Sequence, residues 1–581
     1  MSTAKNAFEI LQQNCPKIDE SLAEKYRDLG YWQYETFNDA LVETCQYFNN
    51  NTAIIDGELT VTFAEIAKRV DCITANLHQI GLKAGDCVIV QLLNGIEFIE
   101  ILSALVKLGV IPVLALPTHR YLEISNFCAF TQAKAYFIQD KDSSGHAYDY
   151  RTLARDLQSE YTHLSHVLVK GEPQEFYAID DLYQTNASSD KSKSSLAVEQ
   201  AVVQAEGVVC FQISGGTTGI PKLIPRRHNE YLYNMRTSAA KSAITQQTVY
   251  LCVLPIAHNF AFACPGIMGT LLSGGTVVLS RDSSSEHCFS LIARHQVTLT
   301  SLVPPLAILW QQAKLHSKQQ DEQLSSLSVL QVGGAKLSYE VAKHIEADLG
   351  CRLQQVFGMA EGLICYTELD DRDELVYSTQ GKPMSAADEV RVVDDNDRDV
   401  AFGEVGQLLT RGPYTIAGYY NMPEHNQKAF TAQGFYRTGD LVKQTADGYL
   451  TVVGRAKEII NRGGEKLMPE EVENILLSHD NIVDVAVVGL PDELYGESIH
   501  AFIITKEGKL KKPQIIRFLH SKGLAAFKVP DRIHFVDVFP ATGVGKVNKK
   551  QLRQDIRLAY QKQQSETAEK EQITREVIAK N

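Results

Sequence analysis

The stretch Ile213-Ser214-Gly215-Gly216-Thr217-Thr218-Gly219-Ile220-Pro221-Lys222 combines three glycines, three hydroxyl side chains and one lysine in ten residues. It follows a mostly apolar run, Gly207–Ile213, that is typical of a buried β-strand. Glycines let the backbone turn tightly, and successive N–H groups in such a turn form a nest for an anion. The sequence therefore predicts a loop that binds a polyphosphate; the alternative is a surface loop rich in Gly, Ser and Thr.

Two well-known phosphate-binding motifs do not fit this loop. In a Walker A loop the last glycine is followed by Lys and then Ser or Thr, whereas Gly219 is followed by Ile220 and Pro221. The loop also lacks the G-x-G-x-x-G spacing of dinucleotide-binding folds. It therefore indicates a phosphate loop of another lineage.

Length and composition limit the classes of protein that fit. With 581 residues the chain is too long for one hydrophobic core, so we expect two or more domains. Apolar residues make up 44% and charged residues 22%, as in ordinary globular proteins, and the net charge of -13 argues against a general nucleic-acid surface. The eleven cysteines form no C-x-x-C pair or zinc-type cluster, so we expect them to be reduced and mostly buried.

The chain shows no sign of a targeting or membrane segment. No apolar signal-peptide region follows the first residues, and the longest apolar stretch, Phe98–Pro117, is interrupted by Glu100 and Lys107. We therefore expect a cytoplasmic protein without a membrane span.

Strand-like apolar runs alternate with helical patterns along much of the chain, which predicts parallel α/β layers. Strands are predicted at 86–92, 110–115, 135–138, 167–169, 249–254, 276–279, 301–303 and 330–332, after a hairpin at 53–60, and helices at 62–77, 97–108 and 122–131. Short strands punctuated by glycine follow between Glu389 and Tyr420.

A change of pattern near Lys457 predicts a domain boundary. A compact pattern of strands and helices follows it, with elements predicted at 469–478, 482–489, 499–505, 514–522 and 532–536. The Ser- and Lys-rich segment 184–199 predicts a flexible connection ahead of the phosphate loop. The polar residues 558–581 predict a solvated extension, with a partner-docking helix as the alternative.

Two glycine-containing motifs carry groups suited to a nucleotide site. Gly333 and Gly334 follow a predicted strand and would let a flat ring approach the backbone, although a simple strand-to-helix turn is the alternative. In Phe357–Glu361, the carboxylate of Glu361 could hold Mg²⁺, which takes one or two carboxylates together with substrate phosphates. Its alternative is a solvated glutamate at the start of a helix.

Two later motifs carry an aspartate and a lysine. Asp440, in the turn Tyr436–Asp440, could accept hydrogen bonds from both hydroxyls of a ribose, or form an ordinary Asx turn. In Thr542–Lys546, two glycines present Lys546 on a constrained loop, from which a lysine can reach a phosphate or a developing negative charge. A basic surface turn is the alternative there.

Together these motifs resemble the adenylate-forming superfamily of acyl-CoA synthetases, nonribosomal-peptide adenylation domains and luciferases, over about residues 30–557. The motifs that match in order are Ser214–Lys222, Phe357–Glu361, Tyr436–Asp440, Gly454–Asn461 and Thr542–Lys546. Within that superfamily, Ile256–Phe260, Val332–Lys336, Gln354–Leu363 and Asn461–Lys466 are similar to the stand-alone aryl acid-AMP ligases of siderophore biosynthesis, such as 2,3-dihydroxybenzoate-AMP ligase.

Sequence pattern and resemblance together predict an α/β fold in three parts. Residues 1–455 would form a large adenylation domain of layered α/β subdomains plus a β-barrel-like subdomain, with the ATP and aryl acid sites. Residues 456–557 would form a small, mobile α+β domain with the lysine loop, and residues 558–581 the polar extension.

The resemblance also implies the reaction. In this family a carboxylate attacks the α-phosphate of ATP, and the acyl group of the resulting acyl-adenylate passes to the phosphopantetheine thiol of an aryl carrier protein. ATP is then a substrate and Mg²⁺ the cofactor, with no prosthetic group. The expected partners are the aryl acid and the carrier protein, and no nucleic acid.

Residue roles are carried over from the family motifs. The resemblance assigns catalytic roles to Lys546, His258 and Glu361, with Glu361 also the metal ligand. It assigns ATP binding to Ser214, Gly215, Gly216, Thr217, Thr218, Gly219, Lys222, Gly333, Gly334, Phe357, Asp440 and Arg455. It assigns the acid pocket to Asn259, Phe260, Cys264, Ala335, Val356, Gly358 and Leu363. Lys457 would be the hinge of the C-terminal domain, and Gly463 and Gly464 would line a pantetheine tunnel.

Cys264 bears on which aryl acid is used. Dihydroxybenzoate enzymes of the family usually have a serine at this position, whose hydroxyl can bond the 3-hydroxyl of the ring, and a thiol is a poorer partner. Members that activate salicylate more often have a cysteine, whereas the surrounding motifs resemble the dihydroxybenzoate branch. We therefore expect 2,3-dihydroxybenzoate, with salicylate as the alternative. Leu254–Gly266 contains no acidic residue that could capture a substrate ammonium.

Three other functions are alternatives to an aryl acid-AMP ligase. An aryl-CoA ligase would use free CoA as acceptor, a silent scaffold would keep only the fold, and a luciferase-like oxygenase would emit light. The presence of Lys546 and Glu361 argues against the scaffold.

Overall fold

The structure, a computed structural model, describes Leu11 and residues 14–142, 148–184, 204–214, 221–316, 320–462, 465–492, 495–506, 510–543 and 545–558. Backbone contacts divide the chain into two compact units. The first unit comprises Met1–Leu337, Val341–Thr438 and Lys443–Thr451, and the second comprises Ser338–Glu340, Gly439–Val442 and Val452–Asn581. The domain limits at residues 455/456 and 557/558 stay a prediction.

The helices and strands follow in chain order. The helices are α1 Glu20–Asp28, α2 Phe37–Tyr47, α3 Phe63–Gln79, α4 Ile96–Leu108, α5 Tyr121–Thr131, α6 Tyr150–Glu160, α7 His228–Lys241, α8 Asn259–Ala263, α9 Gly266–Leu272, α10 Ser285–His295, α11 Pro304–His316, α12 Gln320–Gln323, α13 Tyr339–Leu349, α14 Asp373–Ser378, α15 Pro423–Ala429, α16 Pro469–Leu477 and α17 Lys512–Ser521. Short 3-10 helices lie at Ile179–Tyr183, Ala456–Glu458 and Ala526–Lys528.

The strands are β1 Thr52–Asp56, β2 Leu59–Thr62, β3 Cys87–Gln91, β4 Ile111–Leu114, β5 Ala135–Gln139, β6 His166–Lys170, β7 Tyr177–Ala178, β8 Val208–Ile213, β9 Leu223–Arg227, β10 Val249–Cys252, β11 Thr276–Leu279, β12 Leu299–Leu302, β13 Val329–Gly333, β14 Arg352–Met359, β15 Gly362–Tyr366, β16 Lys382–Pro383, β17 Glu389–Val393, β18 Val405–Arg411, β19 Tyr436–Gln444, β20 Leu450–Arg455, β21 Ile460–Arg462, β22 Glu465–Leu467, β23 Ile482–Asp492, β24 Gly496–Thr505 and β25 Arg532–Phe535.

Two large sheets form the body of the first unit. One has nine strands in the order β16-β15-β14-β13-β12-β10-β11-β1-β2, and the other has seven in the order β7-β6-β5-β3-β4-β8-β9. Most neighbours are parallel, as the alternation of strands and helices predicts, and antiparallel pairs occur toward the edges, for example β14 with β15 and β8 with β9.

Local sequence explains why the helices of the core form where they do. In α3, Thr62 and Glu65 make a capping box at the N-terminus, and apolar residues recur at helical spacing on one buried face. In α4 nearly every side chain is buried, including Phe98, Ile101 and Leu105, because this helix lies within the largest hydrophobic core. A helix that is apolar on all sides is expected to be buried in this way.

The β-rich part of the first unit contains the strands that were expected between Glu389 and Tyr420. Here β17 and β18 are antiparallel, and the four-stranded sheet runs in the order β17-β18-β19-β20. The boundary between the two units passes through β19 and β20.

The second unit has the predicted α+β character. Its sheet runs in the order β22-β21-β24-β23, with β25 added parallel to β24, and α16 and α17 pack together against it over a core of residues such as Val472, Leu476 and Leu519.

Most predicted elements are confirmed to within a few residues. The predicted strand 301–303 lies at Leu299–Leu302, because Pro304 begins α11 directly after it. Most of the Ser- and Lys-rich segment and residues 559–581 of the extension lie outside the described residues.

The cysteines agree with what the composition predicts. All eleven cysteines are free thiols, and all except Cys72 are buried. Among the residues that the structure describes, no helix is both long and apolar enough to cross a membrane.

Candidate functional site

Ser214 and Lys222 close the base of the glycine-rich loop. The N–H of Ser214 donates to the carbonyl of Lys222 at 3.0 Å, and the N–H of Lys222 donates to Oγ of Ser214 at 2.9 Å. β8 ends directly before Ser214, β9 begins directly after Lys222, and the two strands pair antiparallel. Its remaining predicted phosphate ligands lie outside the described residues: Gly215, Gly216, Thr217, Thr218 and Gly219.

Tyr419 connects the base of this loop to Glu361. The ammonium group of Lys222 lies 5.3 Å from the centre of the Tyr419 ring, and the Tyr419 hydroxyl donates a 2.7 Å hydrogen bond to Oε1 of Glu361. The hydroxyl of Tyr436 lies 2.9 Å from that of Tyr419. Burial, with the Glu361 charge second, raises the pKa of Tyr419 well above its usual value, so Tyr419 stays a donor. The structure thus brings together Ser214, Lys222 and Glu361.

Sequence reasoning missed Tyr419. It lies in Gly418-Tyr419-Tyr420-Asn421, a glycine followed by two tyrosines and an asparagine, within a stretch that was interpreted only as short strands. Paired aromatic residues in a glycine-containing loop were the signal that could have indicated it.

Glu361 is held in a tight turn between β14 and β15. Its side chain is 8% exposed, and its carbonyl accepts a hydrogen bond from the N–H of Ile416 at 2.8 Å. Among the described residues no group of three His, Cys, Asp or Glu side chains could enclose a metal ion. A single buried carboxylate fits Mg²⁺, which keeps several waters and takes the rest of its ligands from substrate phosphates.

The predicted acid-pocket residues Asn259 and Cys264 are in contact. Asn259 begins α8, and Nδ1 of His258 caps this helix by accepting a hydrogen bond from the N–H of Phe260 at 3.3 Å. Nδ2 of Asn259 donates to Sγ of Cys264 at 3.3 Å, while its Oδ1 accepts from the hydroxyl of Tyr231 at 2.7 Å.

Cys264 is a buried, neutral thiol in contact with Asn259. Its side chain is 3% exposed, and burial raises its pKa to about 12. At neutral pH the side chain therefore keeps its S–H proton, which is a weak hydrogen-bond donor.

Phe260, Gly333 and Val356 form the apolar part of the same region. A Cβ atom at Gly333 would lie 2.9 Å from Cζ of Phe260 and 2.7 Å from the carbonyl oxygen of Val356. Position 333 therefore has room only for glycine. Phe260, Cys264 and Val356 belong to one buried cluster.

The other predicted pocket and adenine residues have different surroundings. Leu363 is fully buried on β15, Phe357 is half-buried on β14, and Ala335 and Gly358 are exposed. Gly334 has a φ of 83°, in the left-handed region that favours glycine.

In the second unit, Asp440 and Arg455 form an ion pair. Nε of Arg455 lies 3.0 Å from Oδ1 of Asp440, whose side chain is buried, while Arg455 is about half exposed. The two predicted ribose-binding residues are therefore neighbours. Lys457 is exposed in the 3-10 helix Ala456–Glu458, directly after β20.

The lysine loop is closed by two hydrogen bonds between Thr542 and Lys546. The N–H of Thr542 donates to the carbonyl of Lys546 at 2.7 Å, and the N–H of Lys546 donates to Oγ1 of Thr542 at 3.1 Å. Gly545 has a φ of 79°, which this turn requires. The predicted tunnel residues Gly463 and Gly464 lie outside the described residues.

The sequence matches two family models in the order of these sites. Residues 41–420 match the model described as AMP-binding enzyme, and residues 471–546 match its C-terminal domain. The chain belongs to this family of AMP-binding enzymes.

The chain is also similar over nearly its whole length to individual proteins and to a solved structure. The chain is 50% identical to pyochelin synthase PchD of Pseudomonas aeruginosa strain UCBPP-PA14, over 96% of this chain and 98% of that protein. It is 49% identical to 2,3-dihydroxybenzoate-AMP ligase of Bacillus subtilis, over 94% of this chain and 98% of that protein. The apo structure of Mycobacterium smegmatis MbtA is 38% identical and covers 94% of this chain and 99% of its own, with a TM-score of 0.72.

Proposed function

We propose that this protein activates an aryl carboxylic acid, with 2,3-dihydroxybenzoate favoured, to its adenylate and passes it to a carrier protein in siderophore biosynthesis. The observation that carries the proposal is the buried, hydrogen-bonded pair of Asn259 and Cys264, with Cys264 in the same apolar cluster as Phe260. Such a pocket suits a flat ring with a hydroxyl group. The 49% identity to a 2,3-dihydroxybenzoate-AMP ligase supports the same conclusion.

The residues of the acid pocket bind and orient the ring. Asn259 bonds the hydroxyl next to the carboxylate, and Phe260, Val356 and Leu363 enclose the apolar face. Because Leu254–Gly266 contains no carboxylate, the pocket has no partner there for a substrate ammonium group. Buried polar groups that need a partner select strongly for a ligand that supplies one.

The phosphate end of the site neutralises charge. A carboxylate and a triphosphate repel one another, so the reaction depends on positioning and electrostatic stabilisation. Ser214, Lys222 and the glycine-rich loop bind the β- and γ-phosphates, and Tyr419 orients the carboxylate of Glu361. Mg²⁺, when bound, stabilises the charge of the departing pyrophosphate.

The second unit supplies the remaining groups. Asp440, oriented by Arg455, accepts hydrogen bonds from the ribose hydroxyls. Lys546 contacts the carboxylate and the α-phosphate in the first half-reaction. We assign the hinge to Lys457 and the pantetheine tunnel to the region of Gly463 and Gly464. The acceptor is an aryl carrier protein, and the reaction takes place in the cytoplasm.

Acid-dependent exchange of pyrophosphate into ATP tests the proposal. Benzoate, 2-hydroxybenzoate (salicylate) and 2,3-dihydroxybenzoate are compared at saturating ATP and Mg²⁺. We expect the highest kcat/KM for 2,3-dihydroxybenzoate and the lowest for benzoate. Exchange with none of the three acids would reject the proposed function.

Salicylate is the second candidate because of Cys264. A neutral thiol is a weak hydrogen-bond partner for a 3-hydroxyl group, so the ring of salicylate loses little by lacking one. A kcat/KM for salicylate clearly above that for 2,3-dihydroxybenzoate would reverse our order of substrates. Comparing a phosphopantetheinylated carrier protein with free CoA as the acceptor separates the ligase from an aryl-CoA ligase.

A further inference from the structure

Four buried polar side chains form a row that ends in the acid pocket. Gln212 lies on β8, Tyr231 on α7, Asn259 at the start of α8, and Cys264 directly after α8. Nε2 of Gln212 donates to the Tyr231 hydroxyl at 3.1 Å, and that hydroxyl donates to Oδ1 of Asn259 at 2.7 Å. All four residues are at most 6% exposed, so each of these bonds satisfies a polar group that is shielded from bulk water.

The row has a direction, because the hydroxyl of Tyr231 carries one proton. When Gln212 donates to this hydroxyl, its proton points at Asn259, and the carboxamide of Asn259 must present Oδ1 to it. The amide nitrogen of Asn259 then faces the other way, toward Sγ of Cys264. Turning Asn259 over would require Tyr231 and Gln212 to reverse as well, since a buried donor without an acceptor is unfavourable.

The position of the Tyr231 ring is itself fixed. The guanidinium of Arg226 lies 4.1 Å from the centre of the ring, and Glu230 pairs with this guanidinium through bonds of 2.9 and 2.6 Å. Tyr231 and Arg226 are both fully buried. Tyr231 therefore presents its hydroxyl to Asn259 from a rigid position.

We propose that Tyr231 is a positioning residue for substrate selection: its hydroxyl, held by Gln212, sets which end of the Asn259 carboxamide faces the aryl acid. This inference rests on the proposed function, in which Asn259 bonds the hydroxyl next to the carboxylate. Tyr231 selects acids that carry this 2-hydroxyl group, although it does not touch the ring itself.

The test compares two probe acids in full-length Tyr231→Phe. Pyrophosphate exchange is measured with 2-hydroxybenzoate and with benzoate, which lacks the 2-hydroxyl group. We expect KM for 2-hydroxybenzoate to rise about 5- to 30-fold, the range for one lost buried hydrogen bond. KM for benzoate and for ATP should change less than about twofold, because neither ligand uses the orientation of Asn259.

Tyr233→Phe is the matched control. Tyr233 lies two residues further along α7, and its hydroxyl is hydrogen-bonded to Oγ of Ser385 at 2.6 Å. Like Tyr231→Phe, Tyr233→Phe removes one hydroxyl oxygen, but the hydrogen bond to Ser385 lies outside the row. The KM values for 2-hydroxybenzoate and for benzoate should therefore both stay unchanged.

A double-mutant cycle with Asn259→Ala shows whether Tyr231 acts through Asn259. In the Asn259→Ala background, Tyr231→Phe should change KM for 2-hydroxybenzoate less than twofold, since no carboxamide remains to orient. Equal rises in KM for both acids, or no rise, would overturn the inference while leaving the proposed function intact. If the unaltered protein exchanges with no aryl acid, the proposed function fails and this inference with it.

Gln212→Leu provides a second, independent variant. It removes the donor that holds the Tyr231 hydroxyl but keeps Tyr231 in place, so we expect a smaller rise of about 2- to 10-fold in KM for 2-hydroxybenzoate. If circular dichroism shows that Tyr231→Phe is unfolded, Gln212→Leu decides the test. A rise in its KM for 2-hydroxybenzoate supports the inference, and an unchanged KM overturns it.

Discussion

The Tyr419 hydroxyl donates to Oε1 of Glu361 at 2.7 Å, joining two residues that are 58 positions apart in the sequence. Tyr419 also lies against the ammonium group of Lys222, so one ring contacts both the base of the glycine-rich loop and the carboxylate that we assign to Mg²⁺. A buried carboxylate that accepts a hydrogen bond is held in one orientation, and a metal ligand needs such an orientation.

Tyr419→Phe should slow adenylation without unfolding the protein. The change leaves the ring in place but removes the hydroxyl that is bonded to Glu361 and to Tyr436, and the bond to the charged Glu361 alone contributes about 1.5–3 kcal/mol. We expect the rate of pyrophosphate exchange to fall about 10-fold or more, with a higher Mg²⁺ concentration needed for half-maximal rate. Tyr420→Phe is the control, because Tyr420 packs its ring on Phe211. Equal Mg²⁺ dependence in both variants would contradict the role of Tyr419.

Cys264→Ser should shift the substrate preference toward 2,3-dihydroxybenzoate. A serine hydroxyl is a better hydrogen-bond partner than a neutral thiol, and about 1 kcal/mol corresponds to roughly a fivefold ratio. We expect the ratio of kcat/KM for 2,3-dihydroxybenzoate to that for salicylate to rise about 5- to 10-fold. Cys288→Ser, at a buried thiol that donates to the carbonyl of Asp282, is the control. A falling ratio in Cys264→Ser would remove this side chain from the 3-hydroxyl position.

The sequence predicts most helices and strands because the signals for them are local. The capping box of Thr62 and Glu65 and the apolar face of α3 lie within one helix, and β11 is predicted at its observed limits. The strand that precedes the glycine-rich loop is predicted for the same reason, and β8 lies at Val208–Ile213.

What the sequence did not reveal depends on contacts between distant segments. Arg226 is fully buried and donates to the carbonyl of Ala360, next to Glu361, although Arg226 and Ala360 are 134 positions apart in the sequence. Tyr231 has no motif of its own and becomes relevant only where the fold brings α7 beside α8. Periodicity indicates that such a residue is buried but cannot name its partner.

Arg226→Met should strongly destabilise the first unit. Arg226 and Glu230 form a buried ion pair, with side chains that are 0% and 4% exposed, and removing one partner leaves an uncompensated buried charge. This costs about 3–5 kcal/mol, which a lowered midpoint of urea unfolding would show. The double variant Arg226→Met/Glu230→Leu should recover much of the loss.

The exposed pair of Arg294 and Glu58 provides the matched control. Their side chains are 54% and 85% exposed, so Arg294→Met should leave the urea midpoint unchanged, since exposed ion pairs contribute little. Equal shifts for Arg226→Met and Arg294→Met would show that burial of the Arg226 pair does not matter.

Glu470 should make the stability of the second unit depend on pH. Lys549 lies 2.8 Å from Glu473, 3.8 Å from Glu458 and 3.9 Å from Glu470, so three carboxylates surround one ammonium group. Burial, with the charges of Glu473 and Glu458, raises the pKa of Glu470 from 4.5 to about 7, and Lys549 opposes the shift. The folded state then holds this proton more tightly than the unfolded state, so stability falls as pH rises from about 4.5 to 7.

Glu470→Gln removes this titration while Lys549 keeps Glu473. We compare the free energy of unfolding of the variant with that of the unaltered protein at each pH. The difference should shift in favour of the variant by roughly 1–3 kcal/mol between pH 5 and pH 8. Hydrogen exchange of the amides in α16 measures it, and comparing both proteins at the same pH cancels the intrinsic exchange rate. Glu471→Gln, whose carboxylate pairs with Lys528 away from this cluster, is the control. A constant difference between pH 5 and 8 would contradict the shifted pKa.

Lys546→Ala should separate the two half-reactions. The bonds between Thr542 and Lys546 that close the loop use the backbone of Lys546, so the loop keeps its turn when the side chain is removed. We expect pyrophosphate exchange to fall at least about 100-fold, in the range seen when one group that stabilises transition-state charge is removed. Thioester formation from a supplied aryl-adenylate should proceed at close to the normal rate, because that step no longer joins a carboxylate to a phosphate.

Lys550→Ala is the control. Lys550 is an exposed lysine four residues later, so this variant changes the net charge equally and should leave both steps intact. Survival of both half-reactions in Lys546→Ala would exclude Lys546 from the chemistry, whereas loss of both would indicate a role beyond adenylation.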